Sequence, residues 1–374
     1  MSFCAKRVPH QEPWRNTNFK TEFHSEKKMK KTLQKTLAGA VAALAMLITG
    51  CGPSQPVLNV YSWSDYIDEG LVSDFEKQNN CKVIIDTFDS NEFMYSKLKA
   101  GAKGYDVIVP TSYMAKLMFE QKLIEPLDLS KIPNAQKIDK LYLKNLAFDK
   151  TMKYSVPYML GYTCIAYNKG KLGKIDNSWN VFSREDLKGR MTLLDDMRET
   201  IGAGLFFTGN KINCVDPAAL QKAKEQILKW KKNLAKFDNE VYKIGITSGE
   251  FLVVQGYSGD ILQAISEAKD LDMMIPREGV SISCDDLVIP VTAQHKDLAY
   301  KFINFVCDPK NAARNMAFTC YFSPIPEAKK YAKDINFDLL FPSSLYTTGQ
   351  LIQDMGEKNK LFIDTWDEIK LGQK

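Results

Sequence analysis

The stretch VLNVYSWSDYIDEGLVSDFEKQNNCKVIIDTF, residues 57–88, decides the fold. Its two ends, VLNVYSW and KVIIDTF, are short apolar runs rich in the β-branched and aromatic residues that suit strands. Between them, DEGLVSDFEKQN sets Leu71 and Phe75 four apart, on one face of a helix. NEFMYSKLKAG follows with Phe93, Met94, Lys97 and Leu98 at helical spacing, then YDVIVP as a third strand and SYMAKLMFEQKLI as the next helix. This alternation predicts an open α/β sheet, whose ligands bind beyond the carboxyl ends of the strands. One feature breaks the pattern. Trp63, Ser64, Asp65 and Tyr66 gather flat rings and an acid where the first strand stops. The plain reading makes Asp65 the cap of the following helix.

A second α/β region is expected from near Gly161. RMTLLD, LDMMIP and DDLVIPV read as strands, and GEFLVVQGYSGDILQAISEAK as strand, turn and helix. RETIGAGLFF and PAALQKAKEQILKWKKNL read as helices. DLAYKFINFVCDPKNAARNMAF gives two helices broken at Asp308-Pro309. KNKLFIDTWDEIKLG closes the chain as a helix carrying Leu361, Phe362 and Trp366.

The N-terminus reads as an address. From Met29 the chain has a basic start, an apolar run from Leu37 to Ile48, then Ile48-Thr49-Gly50-Cys51. This is the pattern of a secretory signal peptide, too short for a spanning helix. Its end resembles the bacterial lipobox, in which the cysteine, here Cys51, is lipidated and becomes the first residue. Residues 1–28 are polar, so translation is expected to start at Met29. A lipidated Cys51 would tether the chain to a bilayer surface through the linker 51–57. Residues 1–50 hold nine of the 50 basic residues and three of the 45 acidic ones, leaving 41 against 42. The formal charge of +5 thus becomes −1, and a nucleic-acid partner is not expected.

Several chemistries are disfavoured. Beyond the leader there is one histidine, His295, read as a solvated loop residue at a helix start. A Ser-His-Asp or Cys-His set would have to use it. The six cysteines after Cys51 are scattered without a C-x-x-C pair, so no metal site is expected and buried free thiols are. GLFFTGNK, Gly204 to Lys211, imitates a phosphate loop but has Asn210 where the lysine belongs. No cofactor is implied, and an enzyme is disfavoured.

What the sequence does collect is rings and acids at strand ends. Thr111, Ser112 and Tyr113 follow the third strand; Asp196 and Glu199 follow RMTLLD; Tyr257 and Asp260 follow another apolar run; Asp285 and Asp286 precede LVIPV. Each has a structural reading: a capping box for Asp196 with Glu199, core for Tyr113, a helix start for Asp260, a turn for Asp285. Taken together they suit an organic cation, whose lost water carboxylates and aromatic faces can replace.

The motifs YSWSDYIDEGLVSDFEKQ, DSNEFMYSKLKAG, YDVIVPTSYMAKLM, YSVPYMLGYTCIAYN, LLDDMRE and CDDLVIPVTA resemble, in order and spacing, the periplasmic spermidine/putrescine-binding proteins of polyamine ABC importers. The resemblance covers the chain from about Leu58 onward. It implies two α/β lobes, 58–160 with 286–328 and 161–285 with 329–374, closing over a ligand. It further implies an aromatic box of Trp63, Tyr257 and Tyr321, and Tyr66, at the end of the first strand, is a further candidate ligand contact. Ser64, Thr111, Ser112 and Tyr113 would hold one amino end by oxygen contacts. Asp196 and Glu199 would pair with a terminal ammonium, Asp285 with the other charged region, and Asp260 matches an acid of putrescine-type relatives. Gln353 stands nearest to a glutamine that contacts ligand in some relatives. Ser283 replaces an aromatic, and Tyr257 a tryptophan, which favours putrescine at least as much as spermidine. The implied protein is a monomeric, periplasmic lipoprotein at the inner membrane that delivers its polyamine to a permease. Another ligand of the same fold, an enzyme, or a sensor are the alternatives.

Overall fold

The computed structural model describes residues 55–145, 147–332 and 335–372. The expectations for the leader, Met29 and Cys51 lie outside these residues. Strand β1 (Val57–Ser62) leads through helix α1 (Glu69–Asn79) to β2 (Lys82–Thr87), then through α2 (Asn91–Lys99) to β3 (Val107–Ile108) and α3 (Ser112–Glu120). The three strands form one parallel sheet in the order β2-β1-β3. Leu71 and Phe75 are buried on one face of α1, as their spacing predicts, and Met94 and Leu98 are buried on α2. Phe93 instead faces outward at 61% exposure.

The strand-end acid Asp65 does not cap α1. Asp68 does: its Oδ1 accepts from the backbone N–H groups of Gly70 at 2.6 Å and Leu71 at 3.2 Å. Asp65 sits three residues upstream in a left-handed turn, φ 53°, a conformation that Asp tolerates better than most residues. That turn sends the chain sharply away from the end of β1.

The second sheet uses β4 (Val156–Asn168), β5 (Met191–Leu193), β6 (Leu234–Phe237), β7 (Val253–Tyr257), β8 (Leu271–Met274), β9 (Val280–Leu287) and β10 (Gly349–Leu351). Its order is β10-β9-β4-β7-β5-β6, with β8 also on β4. Between these strands lie α4 (Met197–Phe207), α5 (Pro217–Lys231), α6 (Tyr242–Ser248) and α7 (Ser258–Glu267). Then come α8 (Lys296–Val306), α9 (Pro309–Thr319) and the closing α10 (Asn359–Leu371). The break at Asp308-Pro309 is where expected: Asp308 caps α9 and Pro309 occupies its first turn.

Two further expectations change. The strand read as DDLVIPV begins five residues earlier and ends four earlier, running from Val280 to Leu287, so Asp285 and Asp286 lie within it rather than in a turn before it. Hydroxyl donors on neighbouring elements make those acids compatible with a buried strand. His295 is not a solvated loop residue: it is half-buried, its ring Nδ1 3.3 Å from Asp106 Oδ2. The six described cysteines are all free, four of them buried.

The two sheets meet at the end of β9, which β4 backs along the large sheet. β4 pairs antiparallel with β9 through Val156–Tyr162 and with β7 and β8 through 163–168. Isolated bridges then tie Ile108 to Val288 and Thr111 to Asp285. The expected lobe limits at Gly161 and Asp285 thus fall inside continuous strands. Asp106 fixes the far end of the first sheet. It is fully buried and accepts from the backbone N–H groups of Asn59 at 3.0 Å, Gln294 at 2.9 Å and His295 at 2.8 Å. Replacing it leaves three donors without their acceptor. We expect Asp106→Ala to lower unfolding free energy by about 2–4 kcal/mol in urea titrations; a loss below about 1 kcal/mol would show that the tie is dispensable.

Candidate functional site

A cavity of about 490 Å³ opens where the carboxyl ends of the parallel strands converge. That size suits a small organic molecule. Trp63, Ser64 and Tyr66 reach it from the end of β1, Thr111 and Tyr113 from the end of β3. Asp196 and Glu199 come from the start of α4, Tyr257 and Asp260 from the β7–α7 junction, Ser283 and Asp285 from β9, and Tyr321 from the turn after α9. The structure therefore brings together twelve of the fourteen positions singled out in the sequence.

The other two lie elsewhere. Ser112 is buried and donates to Asp286 Oδ1 at 2.8 Å and to the Cys284 carbonyl at 3.0 Å. Successive strand residues face opposite ways, so Asp286 turns from the cavity while Asp285 turns toward it. Gln353 is exposed, and it is its backbone carbonyl that matters, accepting from Arg198 Nη1 at 2.8 Å. Ile352 lines the cavity in its place.

Asp285 is held by two hydroxyls: Tyr66 donates to its Oδ2 at 2.6 Å and Thr111 to its Oδ1 at 2.7 Å. Thr111 is itself fixed by Asn91, which donates to its hydroxyl at 3.0 Å and accepts from its backbone N–H at 3.1 Å. Asp260 accepts from the Tyr242 hydroxyl at 2.6 Å and from Tyr321 at 3.3 Å. The Tyr321 ring reaches this position through two glycines. A Cβ on Gly259 would stand 2.2 Å from it, and one on Gly161 2.8 Å. Tyr66 meets Tyr321 edge-on, with centroids 5.2 Å apart, and Trp63 leans on Phe88 at 4.4 Å.

Asp196 and Glu199 form only half a capping box. Asp196 Oδ1 accepts from the backbone N–H groups of Arg198 at 2.8 Å and Glu199 at 3.0 Å, the cap interaction. Its Oδ2 accepts from the Tyr257 hydroxyl at 3.4 Å. Glu199 makes no return bond to the cap. Its carboxylate instead accepts from Thr163 at 2.6 Å and from Ser281. Capping and cavity lining are both served.

Arg198, between these two acids, is the residue that sequence reasoning passed over. It is buried and lines the cavity, yet its ends point away from it: Nη1 to the Gln353 carbonyl, Nη2 to Asn213 Oδ1 at 2.7 Å. The guanidinium also lies over the Phe362 ring, 4.6 Å from its centroid. Phe88, Asp89 and Asn91 follow β2 and were open to the same strand-end rule. Tyr242 and Lys243 sit on a short helix whose start carries no strong signal.

Burial dominates the electrostatics. It pushes the Glu199 carboxyl up to about 7, with the Asp196 charge adding to the rise. Burial likewise lifts Asp285 to about 6, against its two hydroxyl donors, and raises Asp196 and Asp260 above the ordinary aspartate range. Asp286, behind the site, is raised to about 7 by burial. Seven acidic side chains line the cavity against two basic ones. Such a site favours cations and disfavours anions. Among the described residues no group of three or more His, Cys, Asp or Glu side chains is placed to hold a metal ion.

A cleft at strand ends, bordered by two joined α/β sheets, is the architecture of a solute-binding protein. The chain matches the bacterial extracellular solute-binding protein family over residues 70–339. It belongs to that family, and its role is to bind a substrate outside the cytoplasm. It is 33% identical over 317 residues to the spermidine/putrescine-binding periplasmic protein 1 of Haemophilus influenzae, covering 83% of this chain and 88% of the relative. It is 33% identical over 332 residues to the putrescine/cadaverine-binding protein of Pseudomonas aeruginosa, covering 84% and 93%. The crystal structure of a Treponema pallidum lipoprotein superimposes with a TM-score of 0.76 at 34% identity, covering 84% of this chain and 99% of that one.

The raised carboxyls predict a pH effect. Glu199, Asp285 and Asp286 hold their protons more tightly folded than unfolded. Between the ordinary values and about 6 to 7 the native state therefore binds more protons, and stability falls as pH rises through that window. We expect the Tm of the ligand-free protein to be higher at pH 5.5 than at pH 7.5; a Tm that climbs with pH over this range would contradict the burial of these groups.

Proposed function

We propose that the protein captures a polyamine, putrescine or spermidine, in this cavity and hands it to the permease of an ABC importer. The observation that carries the reading is the set of four carboxyls, Asp196, Glu199, Asp260 and Asp285, raised by burial and facing one cavity among aromatic rings. Keeping such groups ionised costs free energy that an arriving ammonium offsets. Methylene chains pack on Trp63, Tyr257 and Tyr321, whose faces also attract cations. The names of the relatives point the same way.

Binding proceeds without a covalent step. Ligand contacts on both sheets favour a closed form, with the lobes taken as 58–160 with 286–328 and 161–285 with 329–374, so closure is a population shift. Cys51 carries the lipid that holds a monomeric domain at the outer face of the inner membrane, in keeping with a lipoprotein of the same fold. Ser283 and Tyr257 in place of larger rings make putrescine at least as good a ligand as spermidine.

Native mass spectrometry of the purified protein identifies a retained amine directly, and calorimetry gives its affinity. We expect Asp285→Asn to weaken putrescine binding by about tenfold to a hundredfold, the worth of a hydrogen-bonded charge pair. Unchanged affinity in Asp285→Asn, or stabilisation of the wild type by sugars but not by diamines, would refute the reading.

A further inference from the structure

The cavity contains a cation of its own. Lys243, on α6, lines it and donates through Nζ to Gln263 Oε1 at 2.9 Å and to Asp65 Oδ2 at 3.4 Å. Both acceptors are held in place. The Gln263 amide donates from Nε2 to the Thr319 carbonyl at 2.9 Å, and Asp65 is set by its left-handed backbone turn at the end of β1. Lys243 therefore reaches from α6 to the loop of the first sheet. Gln263 stands three residues after Asp260 on α7, one turn along the same face, so the ammonium lies at the Asp260 end of the cavity; it forms its ion pair with Asp65, and its charge acts on the Asp260 carboxylate without direct contact.

The three acidic regions of the cavity are therefore unequal. Asp285 has only hydroxyl donors. The Asp196 and Glu199 pair has Arg198 beside it, but both terminal nitrogens of that guanidinium are bound to Gln353 and Asn213. Near Asp260, on Asp65 and Gln263, the chain supplies a primary ammonium, the same chemical group that a polyamine would bring. A third charged nitrogen arriving there meets a like charge or must displace it.

We propose that Lys243 is a specificity-determining residue, a resident ammonium at the Asp260 end that takes the place of a third cationic group and so favours diamines over triamines. The proposal rests on the polyamine reading of this same cavity. It explains why a site with seven acids need not select the most highly charged ligand: one of its positions is already filled by the chain.

Calorimetry of the purified wild type, Lys243→Gln and Lys243→Arg with putrescine, cadaverine and spermidine at one ionic strength tests it. Removing one like charge is expected to raise spermidine affinity relative to putrescine by about tenfold or more in Lys243→Gln, while Lys243→Arg keeps the ratio within about threefold. An unchanged ratio in Lys243→Gln would overturn the proposal. So would an equal weakening of all three ligands, which would make the lysine only a latch between α6 and the Asp65 loop. A wild type that binds none of the amines would instead overturn the polyamine reading, and this assignment with it.

Discussion

Buried negative charge without enough positive charge to match it is the constraint on which this molecule turns. Two basic side chains face seven acidic ones across the cavity, and burial has already pushed several carboxyls toward their neutral forms. The fold tolerates this because each of the four cavity acids that burial raises has hydroxyl or backbone donors: Tyr66 and Thr111 on Asp285, Thr163 and Ser281 on Glu199, Tyr242 and Tyr321 on Asp260, the first turn of α4 on Asp196. Those donors fix where the acids sit, yet they do not supply a counter-charge. A ligand that brings one completes the arrangement.

The scaffold holds these groups to their geometry from both sides. β9 pairs with β4 in the large sheet and its end is bridged to the first sheet, so Asp285 is at once part of the large sheet and tied to Thr111 beyond the end of β3. Behind it, Asp286 is fixed by Ser112 and Ser155 at 2.8 and 2.7 Å. On the opposite wall, Arg198 and Asn213 bind Gln353 just after β10, and Asn213 also donates to Leu351 at its end; β10 pairs with β9 over only three residues. Side-chain bonds thus do for this short edge strand what a longer ladder would otherwise do.

Most of the site was legible because strand ends face the cleft in an open α/β sheet, and strands can be read from apolar runs. That logic reached Trp63, Thr111, Asp196, Tyr257 and Asp260. It stopped short where local pattern and tertiary partners part company. Asp285 and Asp286 look like turn residues until Tyr66, Thr111, Ser112 and Ser155, all distant in sequence, supply their donors. Ser112 followed the same strand as Thr111 but rotates onto Asp286, which no spacing reveals. Arg198 carries no signal in the sequence, because its anchors, Asn213 and the Gln353 carbonyl, come from segments distant in the chain. Asp65, the residue that first broke the strand pattern, lines the cavity and pairs with Lys243 while Asp68 caps the helix.

The central claim is that a ligand's positive groups restore full ionisation to carboxyls that burial has partly neutralised. Proton counting by calorimetry at pH 6.5, in buffers of different ionisation enthalpy, tests it most directly. Putrescine, already doubly charged at that pH, should drive net proton release on binding. Net proton uptake, or binding with no proton exchange at all, would contradict the account.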